Sequence, residues 1–347
     1  MDHQAMAEEL ARLRTVVEEQ ARTIEALVAS REHMTQWLTD HGKAIEDHSR
    51  GLGDHGKEFF GINERISALE PLKEALRHNN DWLAGHTTAL EGLHIRTDGL
   101  ESAESVHVFT QWLGQLELST GPKISVIMPT HNRAGLLPRA VASVLTQAYP
   151  NLELVIVDDA SSDETPEVIA GFDDPRVRSI RTGHGGVCAA RNAGLDVATG
   201  EVITYLDDDN TMHPLWLKAL AWAFGKHPEV EAAYGGFVID DIERVHRGAG
   251  GSLPRLMLRP YSREVLLKEN LADISAVGHR AGLPAARFDE SLREMGDWDL
   301  LCALTAEREP MVIPAIACFY STDAPDRLSH GPTYDADFAK VRGKHAL

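Results

Sequence analysis

Between residues 10 and 69, apolar side chains return every seven positions. Leu10, Val17, Ile24, Leu38, Ile45, Leu52, Phe59 and Ile66 share one phase, interrupted by Arg31. Three residues further on, Leu13, Leu27, Met34, Ile62 and Leu69 share a second phase with Gln20, His41, His48 and His55. These are the a and d positions of a heptad, sustained over nine repeats. A lone amphipathic helix drifts off a strict seven-residue period, whereas a supercoil keeps it. The pattern predicts that residues 1–118 form a helical coiled-coil region through which copies of the chain oligomerise. The competing expectation is a helix packed on its own chain. A break is expected near Pro71, because Leu76, Leu83 and Leu90 resume the pattern in a shifted phase. Gly42, Gly51, Gly53, Gly56 and Gly61 weaken the middle of the first helix. Histidines on consecutive d layers could bind a metal or sense pH, or serve as semi-polar core residues that fix register.

From about Lys123 the period changes. Short apolar runs at Ile124–Met128, Glu153–Val157, Val177–Arg181 and Val202–Leu206 read as strands. They alternate with helical patterns at Gly135–Gln147, Glu164–Gly171, Val187–Ala198 and Pro214–Lys226. Such alternation predicts an α/β domain over 123–330, doubly wound on a mainly parallel sheet, followed by a C-terminal tail, 331–347. Ligands of such sheets bind beyond the carboxyl ends of the strands. That rule gathers three polar clusters on one edge: Pro129-Thr130-His131-Asn132-Arg133, Asp158 through Asp163, and Asp207-Asp208-Asp209-Asn210.

Charge narrows the partners. The 347 residues carry a formal net charge of −19. Residues 1–120 hold 11 Lys/Arg against 21 Asp/Glu, and residues 121–347 hold 23 against 32. Neither part hides a basic module, which argues against nucleic acid or an anionic membrane. No run of about 18 apolar residues is present to span a membrane, and the N-terminus has no apolar signal core. Cys188, Cys302 and Cys318 lack metal-ligand spacing, as expected of a reducing, cytoplasmic protein.

The chemistry concentrates in Asp207-Asp208-Asp209. Three carboxylates at the end of a buried strand are costly without positive charge beside them. A divalent cation such as Mn2+ or Mg2+ is the usual partner of clustered oxygen ligands. An acidic turn is the bland alternative.

In order and spacing, Ser125 through Arg133, Val157 through Asp163, Ala189 through Gly194 and Tyr205 through Asn210 resemble family 2 glycosyltransferases of the GT-A fold. Phe288 through Leu292 and Gly296-Asp297-Trp298-Asp299-Leu300 continue the resemblance to about residue 330. The resemblance implies an inverting, metal-dependent transferase. It would move a sugar from a nucleoside-diphosphate sugar, a UDP- or dTDP-sugar foremost, to the hydroxyl of an unknown acceptor. It implies nucleotide-sugar contacts from Pro129, Thr130, Asn132, Arg133, Asp159, Arg191, Asp207 and Asp208. It implies Asp209 as the direct metal ligand with Asp207 beside it, and Asp297 as the base. The family usually has Glu before that Asp; Gly296 stands here instead, leaving the base without that support. Asp297 could also cap a helix Trp298–Arg308. The segment Asn270–Arg280 resembles the acceptor side, and His330 lies in a segment like a closing flap. Two other classes compete. One is a non-catalytic coiled-coil scaffold with a degenerate sugar-nucleotide domain. The other is a nicotinamide oxidoreductase, disfavoured because Pro129-Thr130-His131 follows the first strand where a glycine-rich turn belongs.

Overall fold

The computed structural model describes residues 3–51, 56–240, 255–321 and 333–345. Leu52, His55 and His330 lie outside the described residues, as does the side chain of His48. The chain forms two compact units, Met1–Leu100 and Glu101–Leu347. Among the described residues no helix is long and apolar enough to cross a membrane.

The first unit is helical. It consists of α1 (His3–Gly51) and most of α2 (Gly56–Gln115). Leu83 is buried and Leu69 and Leu76 are half-buried, as are Ile24, Leu38 and Ile45 of α1. Met34 of α1 and Leu72, Leu76 and Trp82 of α2 line one shared cavity, so the two helices pack on each other. Leu27, Met34, Trp37, Leu72 and Trp82 remain exposed, and His41 stacks on Trp37 at 4.0 Å. The expected break near residue 71 is not a break in the helix, because α2 runs through Pro71. A proline costs an interior helix about 3 kcal/mol through one lost hydrogen bond. Pro71 is exposed, so the freed carbonyl meets water, and a heptad can change phase without the helix ending.

The helical region, expected over 1–118, has its last helix end at Gln115, while the division into compact units falls inside that helix, at Leu100/Glu101. The last turns of α2 belong to the second unit. Leu113 is wholly buried, and Phe109 and Trp112 meet Trp222 edge-on at 5.3 and 5.5 Å.

The second unit is built on a nine-stranded sheet. Strands β1 (Ile124–Thr130), β2 (Leu152–Asp158), β3 (Val177–Arg181) and β4 (Val202–Tyr205) lie in the order β3-β2-β1-β4, all parallel. This half is the parallel sheet expected from the sequence. Beyond β4 the sheet is mixed: β8 (Val277–Arg280) and β6 (Ala232–Asp240) join antiparallel, and β9 (Met311–Ser321) pairs parallel with β6. Short β5 (Thr211–Met212) and β7 (Arg255–Met257) complete it.

Strand alternation separates two cores. Ile124, Val126 and Met128 of β1 face α3 (Leu137–Leu145) and α6 (Trp216–Lys226). Ile127 of β1 and Val155 and Val157 of β2 face α5 (Val187–Val197) and α8 (Gly296–Leu304). Short helices α4 (Thr165–Ala170) and α7 (Arg263–Leu266) and the C-terminal α9 (Tyr334–His345) complete the set named here. Helix α5 presses closely on the sheet: a Cβ on Gly194 would stand 2.5 Å from Ile127 Cγ2.

Candidate active site

Strands β1, β2 and β4 end side by side, so their loops converge. Pro129 and Thr130 are the last residues of β1, both buried, with Pro129 beside Val157 in the register. Asn132 takes a left-handed φ of 53°. Its Oδ1 accepts from the Ser162 N–H at 2.7 Å, and its own N–H donates to Ser161 Oγ at 2.9 Å. Asn132 therefore ties the first loop to the second. The Arg133 guanidinium turns toward the third loop, 3.3 Å from Asp209 Oδ2 and 3.8 Å from Asp208 Oδ1.

Asp159 begins the second loop and is buried. It accepts from Thr182 Oγ1 at 2.7 Å and from the N–H groups of Gly185 and Gly186 at 2.9 and 2.8 Å. Burial works against its charge, but those donors prevail and hold its carboxyl below the usual value. Asp159 thereby fixes the turn that opens α5. The His131 and His184 rings lie beside it, 4.5 Å apart.

Helix α5 delivers Arg191, which is buried. Its Nη2 donates to Asp207 Oδ1 at 2.6 Å, and its guanidinium lies over the Phe288 ring at 5.3 Å. Burial opposes this charge, yet Asp207 keeps the guanidinium firmly protonated. Arg191 Nε has no hydrogen-bond partner among the described residues. The next residue, Asn192, bonds the Phe288 backbone at both ends of its amide, 3.0 Å each. Two motifs a hundred residues apart are joined there.

The third loop carries the aspartates. Burial, then Asp209 and Asp207, push the Asp208 carboxyl up to about 7 against the pull of Thr130 and Arg133. The Thr130 hydroxyl faces it without completing a hydrogen bond. Arg139 of α3 donates to the Asp209 carbonyl at 2.9 Å. Asn210 ties this loop to Ser275 at 3.2 Å and to the Ser321 N–H at 3.1 Å.

Asp297 reaches the same place from α8. The helix opens at Gly296 rather than at Trp298, so Asp297 sits inside its first turn and is not the N-cap. Its Oδ1 accepts from the Trp298 N–H at 2.7 Å and its Oδ2 from Asn270 Nδ2 at 2.8 Å. Burial raises its carboxyl above the ordinary value; Arg191 opposes this and Asp207 adds to it. Gly296 explains the missing side chain before it. A Cβ there would stand 2.5 Å from Cys188 Sγ, so any larger residue forces that sulfur or one of the two helices to shift.

Two polar residues of the site carry no assigned role in the sequence reading. Asn270 holds Asp297, and Asp273 caps the turn Ile274–Ala276. Burial, Asp207 and Asp297 push the Asp273 carboxyl up to about 7. Their signal was two polar groups flanking an apolar stretch, too weak to read without the fold. Asp207, Asp208, Asp209, Asp273 and Asp297 thus share one region with two guanidinium groups, Arg133 and Arg191.

Comparison with known proteins agrees with this architecture. The profile described as "Glycosyl transferase family 2" matches residues 125–283. The chain is 32% identical over 197 residues to WcaA of Escherichia coli K12, named as a colanic acid biosynthesis glycosyl transferase. That match covers 55% of this chain and 68% of WcaA. It is 31% identical over 204 residues to the succinoglycan biosynthesis protein ExoO of Rhizobium meliloti, covering 53% of this chain and 56% of ExoO. Among solved structures, TarS 1–349 of S. aureus with UDP-GlcNAc superposes with a TM-score of 0.53. There the identity is 19%, and the match covers 63% of this chain and 64% of that one. The chain thus spans about half to two thirds of these proteins.

Proposed function

The chain belongs to glycosyl transferase family 2 and is a glycosyltransferase of the GT-A fold, and from that premise we propose an inverting, cation-assisted transfer. The sugar leaves a nucleoside diphosphate, a UDP- or dTDP-sugar foremost, for the hydroxyl of an acceptor. The observation that supports this reading is the position of Asp207-Asp208-Asp209, with Arg191 bonded to Asp207 at 2.6 Å, at the carboxyl ends of the parallel strands, near enough to the buried Asp297 for Arg191 and Asp207 to act on its charge.

Thr130 and Asp159 line the nucleobase end, where a carboxylate accepts from the N–H of uracil or thymine. Asp159 already takes three donors, so it acts in a fixed position. Pro129 and Asn132 shape the loops, and Arg133 and Arg191 face the diphosphate, which guanidinium groups bind bidentately. Asp208 reaches toward the ribose. Asp297 takes the proton of the acceptor hydroxyl. That oxygen attacks C1 while the C1–O bond to the diphosphate breaks and its electron pair leaves with the nucleoside diphosphate. One base opposite the leaving group gives inversion.

The donor set suits a divalent cation. Five carboxylates share the region with two guanidinium groups; burial first, and the neighbouring carboxylates after it, raise Asp208 and Asp273, a cost that a cation would relieve. Among the described residues no cluster of three His, Cys, Asp or Glu ligands forms a ready-made cage, so a bound cation would also need oxygen ligands from the donor. Asp209, with Asp207 beside it, would hold Mn2+ or Mg2+, Asp209 exchanging its contact with Arg133. When bound, the cation supplies charge to stabilise the departing diphosphate.

Membership of a family of glycosyltransferases weighs against a non-catalytic scaffold. The exposed apolar residues of α1 and α2 favour a homo-oligomer through the helical region, tested by sedimentation of the full chain at micromolar concentration. Three buried free cysteines favour a reducing, cytoplasmic compartment. The function itself is tested by incubating the chain with Mn2+ and a panel of UDP-, dTDP- and GDP-sugars. Release of one nucleoside diphosphate supports the reading; no turnover of any donor, with or without simple saccharide acceptors, rejects it.

A further inference from the structure

The segment that delivers Asp297 is held from its far side by α9. Asp337 Oδ2 accepts from the N–H groups of Arg293 and Glu294, at 2.8 and 3.0 Å, just before α8 begins. Glu294 accepts in turn from Thr333 Oγ1 at 2.6 Å. Beyond Asp297 the grip resumes. The Phe338 ring packs on Trp298 at 5.0 Å, and Lys344 Nζ and His345 Nε2 reach Asp299 at 2.8 and 2.7 Å.

Asp299 decides the matter. It is 0% exposed, and a buried carboxylate is costly without partners. The partners described for it on other elements are on α9. Burial opposes the charge of Lys344, yet the bond to Asp299 holds its ammonium above the ordinary value. Helix α9 therefore grips residues on both sides of Asp297 while the Asp297 carboxylate accepts from Asn270. On its other side the first turn of α8 is held by Trp298 Nε1, which donates to the Leu266 carbonyl at 2.6 Å, but its N-cap is bare. Met295 gives no side-chain cap, and Gly296 has no side chain to contribute.

We propose that α9 is a positioning strap for Asp297, with Lys344 and His345 acting through Asp299 to set the first turn of α8 against Asp207–Asp209. This rests on Asp297 being the base. Catalytic groups need near-attack geometry, and a displacement of about 1 Å can cost 10²-fold.

The test uses the full chain and whichever UDP- or dTDP-sugar it turns over. Lys344→Met should lower kcat by about 10- to 100-fold. The donor KM, and UDP affinity measured calorimetrically in Mn2+, should not change. Lys344→Arg should restore most of the rate. A lower melting point with wild-type kcat per folded molecule would mean a merely structural helix and would overturn the strap. If Lys344→Met does not fold, His345→Gln leaves the Lys344–Asp299 pair in place. A partial kcat loss at constant KM then supports the strap, and wild-type kcat overturns it. Asp297→Asn is measured alongside. If it keeps turnover, the base reading fails and the strap with it; if it loses turnover while Lys344→Met does not, the strap alone fails.

Discussion

Gly296→Ala tests the packing that places Asp297. The new Cβ would stand 2.5 Å from Cys188 Sγ and 3.6 Å from Phe288 Cδ1. An ordinary contact is near 3.5 Å, so the Cys188 sulfur or the helices that carry it and Gly296 must shift by close to 1 Å. Cys188 is buried, and α5 has no room to retreat because Gly194 already lies against Ile127. Overpacking of this kind costs about 1–3 kcal/mol. Alanine returns up to about 1 kcal/mol of helix propensity. The net loss should be about 1–2 kcal/mol, or roughly 2–8 °C in melting temperature for a unit of this size. Turnover should fall as well, because the shifted turn carries Asp297. Cys188→Ala removes the obstructing sulfur, so the double variant should be more stable than the two losses summed, by at least about 0.5 kcal/mol. Thermal unfolding followed by tryptophan fluorescence reads all three variants. An unchanged melting point for Gly296→Ala, or losses that simply add, would refute the packing argument.

Asp208→Asn should stabilise the metal-free chain at pH 8. Burial raises the Asp208 value from 3.8 to about 7 in the folded state, so its favourable contribution is complete below 3.8 and is lost as pH rises through 7. The melting-point gap between variant and wild type should therefore close between pH 8 and pH 4; a constant gap would contradict the burial argument. Asn270→Asp sets a like charge against Asp297, so the acid limb of the turnover profile should move to higher pH with nucleotide affinity unchanged; an unmoved limb would remove Asn270 from the site. Deleting residues 1–100 should leave a folded catalytic unit. Deleting 1–118 also strips Leu113 and Phe109 from the core, and Leu113→Ala alone should cost about 2–5 kcal/mol; equal melting points for the two truncations would restore the boundary at 118.

The parallel half of the sheet was legible because each strand is a short apolar run bounded by turn residues. Val177–Arg181 coincides with its strand, and Ile124–Met128 extends by two residues. The site loops were legible for the same reason, since carboxylates directly after a buried strand have few structural uses. The antiparallel half was not, because β6 and β9 acquire meaning from partners far away in the chain. The division between compact units was not legible because Val106, Phe109 and Leu113 continue a helical pattern begun in the other unit. The contacts of α9 were hidden because they are backbone hydrogen bonds, one ring contact and charge pairs, which leave no period in the sequence.

Separation of the two carboxylate roles tests the central claim most directly. Nucleoside diphosphate release and UDP binding are measured in Mn2+ for the full chain, Asp209→Ala and Asp297→Asn. Asp297→Asn should lose about 10²–10⁴ in turnover while binding UDP as tightly as the unaltered chain. Asp209→Ala should abolish cation-dependent turnover. Turnover retained by Asp297→Asn, or near-full cation-dependent activity in Asp209→Ala, would contradict the account.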